Sequence, residues 1–293
     1  MYAFGMPMDQ VNLIGQLRKR IAQMESERRF DNKAYPEGLV RFPGVLPGQG
    51  FFPGGDGLWR DDPNSAAMHE LTTGGIMVLG NDFGCLDSED ARSPGFNQCL
   101  PRGYENPPTW TFFKELYGKS VPKNECFFTN AYLGLRRCSK STDPCPKKVK
   151  ITGLSPGLKD EKFLPFCQEF FECQLSILRP RVIICLGHEP RKFLAQFLAP
   201  SRESTTPLLD KMRPWKNNSI SFNRLDKVCA PILDCSALLC DKFTHDFKAT
   251  VIAHTSFAWS THNKHPRTYK DKDGKVKYGK DAEVAILKEA LSR

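Results

Sequence analysis

Residues 162–187 read KFLPFCQEFFECQLSILRPRVIICLG, a helical pattern followed at once by a short apolar run. Over residues 162–178 the aromatic and aliphatic residues recur at three- and four-residue steps, which predicts a helix. Residues 181–186 are almost continuously apolar, as strands are when both of their faces are covered. This order of helix and strand favours a parallel sheet with helices packed against it.

Three other short runs share this continuous apolar character and are also predicted to be strands. They are residues 75–80, 125–130 and 249–253. Further helical patterns cover residues 109–117, 189–197 and 281–291. The predicted fold class is α/β, a three-layer α/β/α sandwich with a central four-stranded, mainly parallel sheet.

Residues 1–60 are predicted to form an extension to this domain, which would occupy residues 61–293. Residues 8–29 have an amphipathic helical pattern, and this helix is expected to pack on the main domain. Residues 43–57 are rich in proline and glycine, which predicts a loop or linker with aromatic anchors. The stretch 201–241 matches none of these patterns.

The composition excludes several classes of protein. The 293 residues include 21 Phe, so the chain can form a core and is not a disordered protein. No apolar run approaches the roughly 20 residues that cross a bilayer, and the first residues lack the apolar core of a signal peptide. An intracellular, cytoplasmic location is therefore expected. The eleven cysteines are then reduced thiols rather than disulfides.

Polar residues follow each of the four predicted strands. The sequences at these points are Gly80-Asn81-Asp82-Phe83-Gly84, Thr129-Asn130, Gly187-His188-Glu189 and His254-Thr255-Ser256. A polar residue after one strand often serves as a helix cap or a turn residue. Four such groups are expected to meet at one edge of the sheet, because the carboxyl ends of parallel strands lie together there. Parallel sheets bind their ligands at this edge.

In their order, spacing and placement these motifs resemble those of the uracil-DNA glycosylase superfamily, over about residues 70–265. The segment 80–84 resembles the family motif G-x-[DNA]-P-[YG], and 254–256 resembles H-P-S. Residues 125–187 are similar to the matching region of the thermophile-type and bacterial branches. The sequence departs from the family where Phe83 and Thr255 replace the two motif prolines, which shape tight turns. The iron–sulfur cysteine pattern is absent, because no cysteine precedes Cys85.

The resemblance implies a role for each matching residue. Asp82 and His254 would be catalytic: Asp82 would orient or activate water, and His254 would stabilise the departing uracil anion. Three residues would bind the base, with the ring of Phe96 stacking on it and the Asn130 amide reading its edge. These base-binding residues are Asn81, Phe96 and Asn130. The residues implied or expected to contact phosphate or DNA are Ser256, Arg136, Arg137, Lys264 and Arg267.

The implied function is a DNA glycosylase for base-excision repair, which flips uracil or a related deaminated base out of DNA and hydrolyses its N-glycosidic bond. The formal charge of +9 agrees with a DNA partner, since two basic segments, 136–150 and 264–280, follow strand-end motifs. A monomer without metal, organic cofactor or membrane contact is expected, and core thiols are favoured over a metal site at Cys85, Cys99, Cys138 and Cys145. Two alternatives stay open: a non-catalytic nucleic-acid-binding protein on the same fold, and a nucleoside or nucleotide hydrolase.

Overall fold

A computed structural model describes residues 12–27, 35–37, 39–40, 50–60, 69–83, 85–86, 108–137, 155, 157, 160–198, 231–239, 243–253 and 267–292. These residues form a mixed α/β structure. Its elements, in chain order, are α1 (Leu13–Glu27), β1 (Leu39–Val40), β2 (Ile76–Gly80), β3 (Cys85–Leu86), α2 (Pro108–Tyr117), β4 (Cys126–Asn130), β5 (Leu135–Arg137), α3 (Phe163–Leu178), β6 (Val182–Leu186), α4 (His188–Phe197), β7 (Ile232–Leu238), β8 (Thr244–Ile252), β9 (Thr268–Lys270), β10 (Val276–Tyr278) and α5 (Gly279–Leu291).

The central sheet has five strands in the order β4-β2-β6-β8-β7. The first four run parallel, and β7 pairs antiparallel with β8. The α/β class and the mainly parallel sheet predicted from the sequence are confirmed. The prediction of four strands was wrong, because β7 lies in the stretch 201–241 that the sequence patterns did not assign.

β7 was not predicted because its residues alternate between buried and exposed positions instead of forming a continuous apolar run. Leu233, Cys235 and Ala237 are buried, whereas the residues between them are exposed. This period of two is typical of an edge strand with only one face covered. The four predicted strands differ from β7 because helices or loops cover them on both sides.

Alternate residues of the central strands face two separate hydrophobic clusters. In β2, Met77 and Leu79 belong to a cluster that includes residues of α1, α3 and α4. Ile76 and Val78 belong to the other, which includes residues of α2 and α5. Every residue of β2, β4 and β6 is buried. Burial on both faces therefore explains why these strands are continuously apolar in the sequence.

The five predicted helices are present, and α2 to α5 begin within two residues of the predicted positions; residues 8–11 and 28–29 of the first predicted helix lie outside the described residues. α1 packs against α3, as expected from its amphipathic pattern, and Leu17 and Met24 are fully buried there. Among the residues that the structure describes, no helix is both long enough and apolar enough to cross a membrane.

Residues 50–60 lie against β4 rather than forming a free linker. The Phe52 N–H donates to the Phe128 carbonyl at 2.9 Å, and the Phe128 N–H donates to the Gly57 carbonyl at 2.8 Å. Arg18 of α1 donates to the carbonyls of Pro53 and Gly55 at 3.2 and 2.7 Å. α1, this segment and the sheet share one hydrophobic cluster. The described part of residues 1–60 therefore packs on the domain, and the boundary at residue 60 stays a prediction.

Candidate functional site

The carboxyl edge of the sheet places two predicted site segments side by side. Gly80, the last residue of β2, pairs in register with Asn130, the last residue of β4. Beyond this pair, the Ala131 N–H donates to the Gly80 carbonyl at 2.9 Å and the Tyr132 N–H donates to the Asn81 carbonyl at 3.0 Å. The turns that carry Asn81, Asp82 and Asn130 are thus joined by backbone hydrogen bonds.

Gly80 leaves space that the side chain of Asn130 occupies. A Cβ atom at Gly80 would overlap the Asn130 Oδ1 atom and come within 3.0 Å of Cε1 of Phe51. Asn130 is only 6% exposed. Its amide is therefore held against the backbone of β2, one residue before Asn81 and two before Asp82.

Phe51 is an aromatic side chain that the structure adds to this site. Its ring lies beside Gly80 and packs edge-to-face on Phe128, with ring centroids 5.6 Å apart. The sequence identified Phe51 only as an anchor of a loop, because the contact with Gly80 joins distant parts of the chain. Phe96, which the resemblance implies as the stacking residue, lies outside the described residues.

We expect Gly80→Ala to destabilise the protein by about 1–3 kcal/mol, the usual cost of adding a methyl group to a packed site. The new methyl group must displace the amide of Asn130 or the ring of Phe51. Urea denaturation measures the change. Gly15→Ala, in the first turn of α1, is the comparison: its new methyl group meets only the exposed side chain of Asn12, which accepts a hydrogen bond from the Gly15 N–H at 2.8 Å, and alanine favours the helix by about 1 kcal/mol. Unchanged stability of Gly80→Ala would contradict the close packing at Gly80.

Asn81 and Asp82 are half-buried at the start of the turn that follows β2. The Oδ1 atom of Asn81 is buried and has no hydrogen-bond partner among the residues that the structure describes. Burial raises the pKa of Tyr132, and the charges of Glu189 and Asp82 add to this rise. The neutral hydroxyl of Tyr132 therefore shares its surroundings with two carboxylates, one of them the predicted catalytic group.

The third strand end forms a buried polar pair. Gly187 has φ of 91°, in the left-handed region that favours glycine, and the next residue, His188, begins α4. The Arg191 guanidinium donates to Nδ1 of His188. Burial, together with the positive charges of Arg191 and Lys192, lowers the pKa of His188 to about 3. The imidazole is therefore neutral at pH 7, with its proton on Nε2.

His188 is expected to make the protein less stable as the pH falls from about 6.5 to about 3. In this range the unfolded chain binds a proton at this histidine, whereas the folded chain, with its pKa lowered, does not. We expect His188→Asn, which keeps an acceptor for Arg191, to flatten this part of the stability curve. Urea denaturation at pH 7, 5.5 and 4.5 tests it. Parallel curves for the two proteins would contradict the lowered pKa.

A buried ionic network supports the fourth strand end. The carboxylate of Glu283, in α5, accepts from the Ala253 N–H at 2.9 Å and from the hydroxyl of Tyr117. It lies 3.8 Å from the guanidinium of Arg267, which donates to the Val251 carbonyl at 2.6 Å. Burial raises the pKa of Tyr117, and Glu283 raises it further. The network fixes the last residues of β8, directly before the predicted catalytic residue 254.

Arg267 is a buried member of this network. The sequence placed it among the DNA-contacting residues, but only 1% of its surface is exposed. Its guanidinium binds a main-chain carbonyl and a buried carboxylate instead of facing solvent. A basic residue held in this way supports the fold, and its contact with DNA stays a prediction.

Several predicted residues lie outside the described part of the chain, or only their backbone is described. Arg136 and Arg137 lie in β5, where Arg136 pairs with Leu39 and Cys85, but their side chains are not among the described ones. Cys85 likewise has a described backbone only. The residues outside the described ranges are Phe96, His254, Thr255, Ser256, Lys264, Cys99, Cys138 and Cys145.

The described residues at this edge combine an amide, a carboxylate and an aromatic ring. An amide pairs a donor with an acceptor, which suits the edge of a planar heterocycle, and a carboxylate can orient water. Within the described ranges, no group of three or more His, Cys, Asp and Glu side chains could hold a metal ion. Neither the family models nor the curated proteins with which the chain was compared gave a match.

Proposed function

We propose that the protein is a DNA glycosylase that removes uracil or a related deaminated base from DNA. The observation that carries this proposal is the pairing of Gly80 with Asn130, which sets the amide of Asn130 beside the turn that bears Asp82. A base-reading amide and a water-orienting carboxylate at one sheet edge are the two groups that the reaction needs first.

In this proposal the Asn130 amide binds the edge of the extruded base. Its NH₂ group donates to O4 of uracil and its carbonyl oxygen accepts from N3–H. Phe51 supports the amide, because its ring and the amide share the space above Gly80. Phe96 is proposed to stack on the base. The base must leave the duplex to reach this site, since its glycosidic bond is inaccessible within the stack.

Asp82 is proposed to act on the sugar and on water. As the bond between C1′ and N1 breaks, positive charge develops on the sugar and the uracil leaves with the electron pair. The carboxylate of Asp82 stabilises that positive charge, orients the water that adds to C1′ and accepts the proton that this water loses. His254 is proposed to donate a hydrogen bond to O2 of the departing uracil anion. Ser256 is proposed to hold the neighbouring phosphate.

The finer architecture belongs to the same proposal. The two hydrophobic clusters, one including α1, α3 and α4 and the other α2 and α5, support a three-layer α/β/α sandwich.

The five described free cysteines are all buried, which fits thiols used as small apolar residues. A reducing, intracellular location is proposed on this basis.

An oligonucleotide panel tests the function. Purified protein is incubated with duplexes and single strands that carry uracil, hypoxanthine, xanthine or a thymine mismatch, and released base is measured. We expect release from at least the uracil substrate. Salt-dependent DNA binding without any released base would instead favour the binding protein on the same fold. Cleavage of free nucleosides or nucleotides, but not of oligonucleotides, would favour the nucleoside or nucleotide hydrolase.

A further inference from the structure

β9 and β10 form a short antiparallel hairpin with a preformed turn. Lys270 pairs with Val276, and Thr268 pairs with Tyr278. In the turn, the carboxylate of Asp271 accepts from the backbone N–H groups of Asp273 at 3.2 Å and Lys275 at 2.8 Å. The side chain of Asp271 is therefore used to build the turn.

The inner side of the hairpin is attached to the rest of the molecule. Burial raises the pKa of Tyr269, and the carboxylate of Glu289, in α5 beside it, raises the pKa further. The Gly279 N–H donates to the carbonyl of Arg267 at 2.8 Å, and Arg267 belongs to the buried network below the end of β8. The base of the hairpin is thus fixed at the same edge of the sheet as Asp82 and Asn130, and from there its strands run along α5 toward Glu289, so that the turn lies away from this edge.

The outer face of the hairpin combines unpaired lysines with exposed apolar side chains. Tyr278 is 62% exposed and Val276 is 44% exposed, beside the exposed Lys270. Lys272 and Lys275 extend from the turn and are exposed as well. Among the described residues, these three lysines form no ion pair. Val276, Tyr278 and Lys270 thus give this face both exposed apolar surface and positive charge.

We infer that this outer face binds the sugar–phosphate backbone of double-stranded DNA. The lysines supply the charge that a polyanion needs, and the ring of Tyr278 offers an apolar surface for a deoxyribose. The inference rests on the proposed function, because a duplex whose base enters the proposed site at the carboxyl edge would extend along the hairpin and α5 to these lysines. In this inference the phosphate contacts expected of Arg267 come from Lys270, Lys272 and Lys275.

Binding of an undamaged duplex measures the role of the hairpin apart from excision. We expect Lys272→Gln/Lys275→Gln to weaken binding by about 10-fold at 100 mM salt. The slope of log K against log salt should fall by about 1.8, since each lysine that neutralises a phosphate contributes about 0.9 to it. Tyr278→Ser is expected to weaken binding about threefold without changing the slope, because it removes an apolar contact and no charge. Fluorescence anisotropy at four salt concentrations gives both quantities.

The matched control is Lys19→Gln/Lys119→Gln, which removes the same charge from exposed positions on and beside other helices. We expect its affinity and slope to equal those of the unaltered protein. An equal effect of both double variants would overturn the inference, since net charge alone would then explain binding. Vesicles of anionic phospholipid are measured in parallel. Hairpin-dependent vesicle binding with unchanged DNA binding would also overturn it.

Measuring uracil release together with DNA binding distinguishes a failure of this inference from a failure of the proposed function. Uracil release by the unaltered protein together with unchanged DNA binding by the hairpin variants would overturn the inference alone. Hairpin-dependent DNA binding without any base release would support the inference and overturn the glycosylase. Absence of DNA binding by the unaltered protein would overturn both.

Discussion

Asp82→Asn is expected to slow uracil excision by about 10²–10⁴-fold, the range typical of a lost general base. The asparagine keeps the shape of the side chain but removes the negative charge that would stabilise the positive sugar. Asp82 is half-buried in a turn that two backbone hydrogen bonds tie to the end of β4, so the fold should persist. Single-turnover release of uracil from a duplex measures the rate.

The control for this variant is Asp234→Asn, which makes the same chemical change at an exposed position of β7. We expect its excision rate and its urea midpoint to match those of the unaltered protein. Full activity of Asp82→Asn, with a normal midpoint, would remove Asp82 from the catalytic role. A shifted midpoint in Asp82→Asn would instead identify a structural role.

Glu283→Gln is expected to lower the free energy of unfolding by about 3–5 kcal/mol, the typical cost of breaking a buried ion pair by removing one partner. The amide cannot compensate the charge of Arg267, which is buried with it. It must also present an NH₂ group toward either the Ala253 N–H or the Tyr117 hydroxyl, where the carboxylate accepts both hydrogen bonds. Urea denaturation at pH 7 measures the loss.

Two companion variants sharpen this measurement. Glu115→Gln, at an exposed position of α2, should change stability by no more than about 0.5 kcal/mol. Replacing both partners, as in Arg267→Met/Glu283→Leu, should recover much of the stability lost in Glu283→Gln, because no unpaired charge stays buried. A loss below about 1 kcal/mol in Glu283→Gln would show that the network is not energetically coupled.

The parts of the fold that follow from local burial could be predicted from the sequence. β2 and β6 are buried on both faces, so their residues are continuously apolar and stand out in the chain. β7 could not be found in the same way, because its alternate residues are exposed. A search for period-two alternation would favour it through Leu233, Cys235 and Ala237.

The parts of the site that depend on long-range contacts could not be predicted from the sequence. Gly80 and Asn130 were predicted to end two strands of one sheet, but their contact depends on β2 and β4 being neighbours and on the register between them. Phe51 is one of 21 phenylalanines, and only its position against Gly80 distinguishes it. The burial of Arg267 depends on Glu283 and Val251, since nothing local separates this arginine from the exposed lysines of the hairpin that follows it.

The segment 50–60 covers the outer edge of β4, and this affects how the sheet could associate with other chains. β4 is an outer strand of the central sheet, and the outward backbone N–H and C=O groups of Phe128 are satisfied by Gly57 and Phe52. A sheet edge whose hydrogen-bonding groups are open readily pairs with a strand of another molecule, which is a route to aggregation. A shortened chain that begins after residue 60 would expose these groups. The proline- and glycine-rich segment thus protects the sheet against growth from this edge.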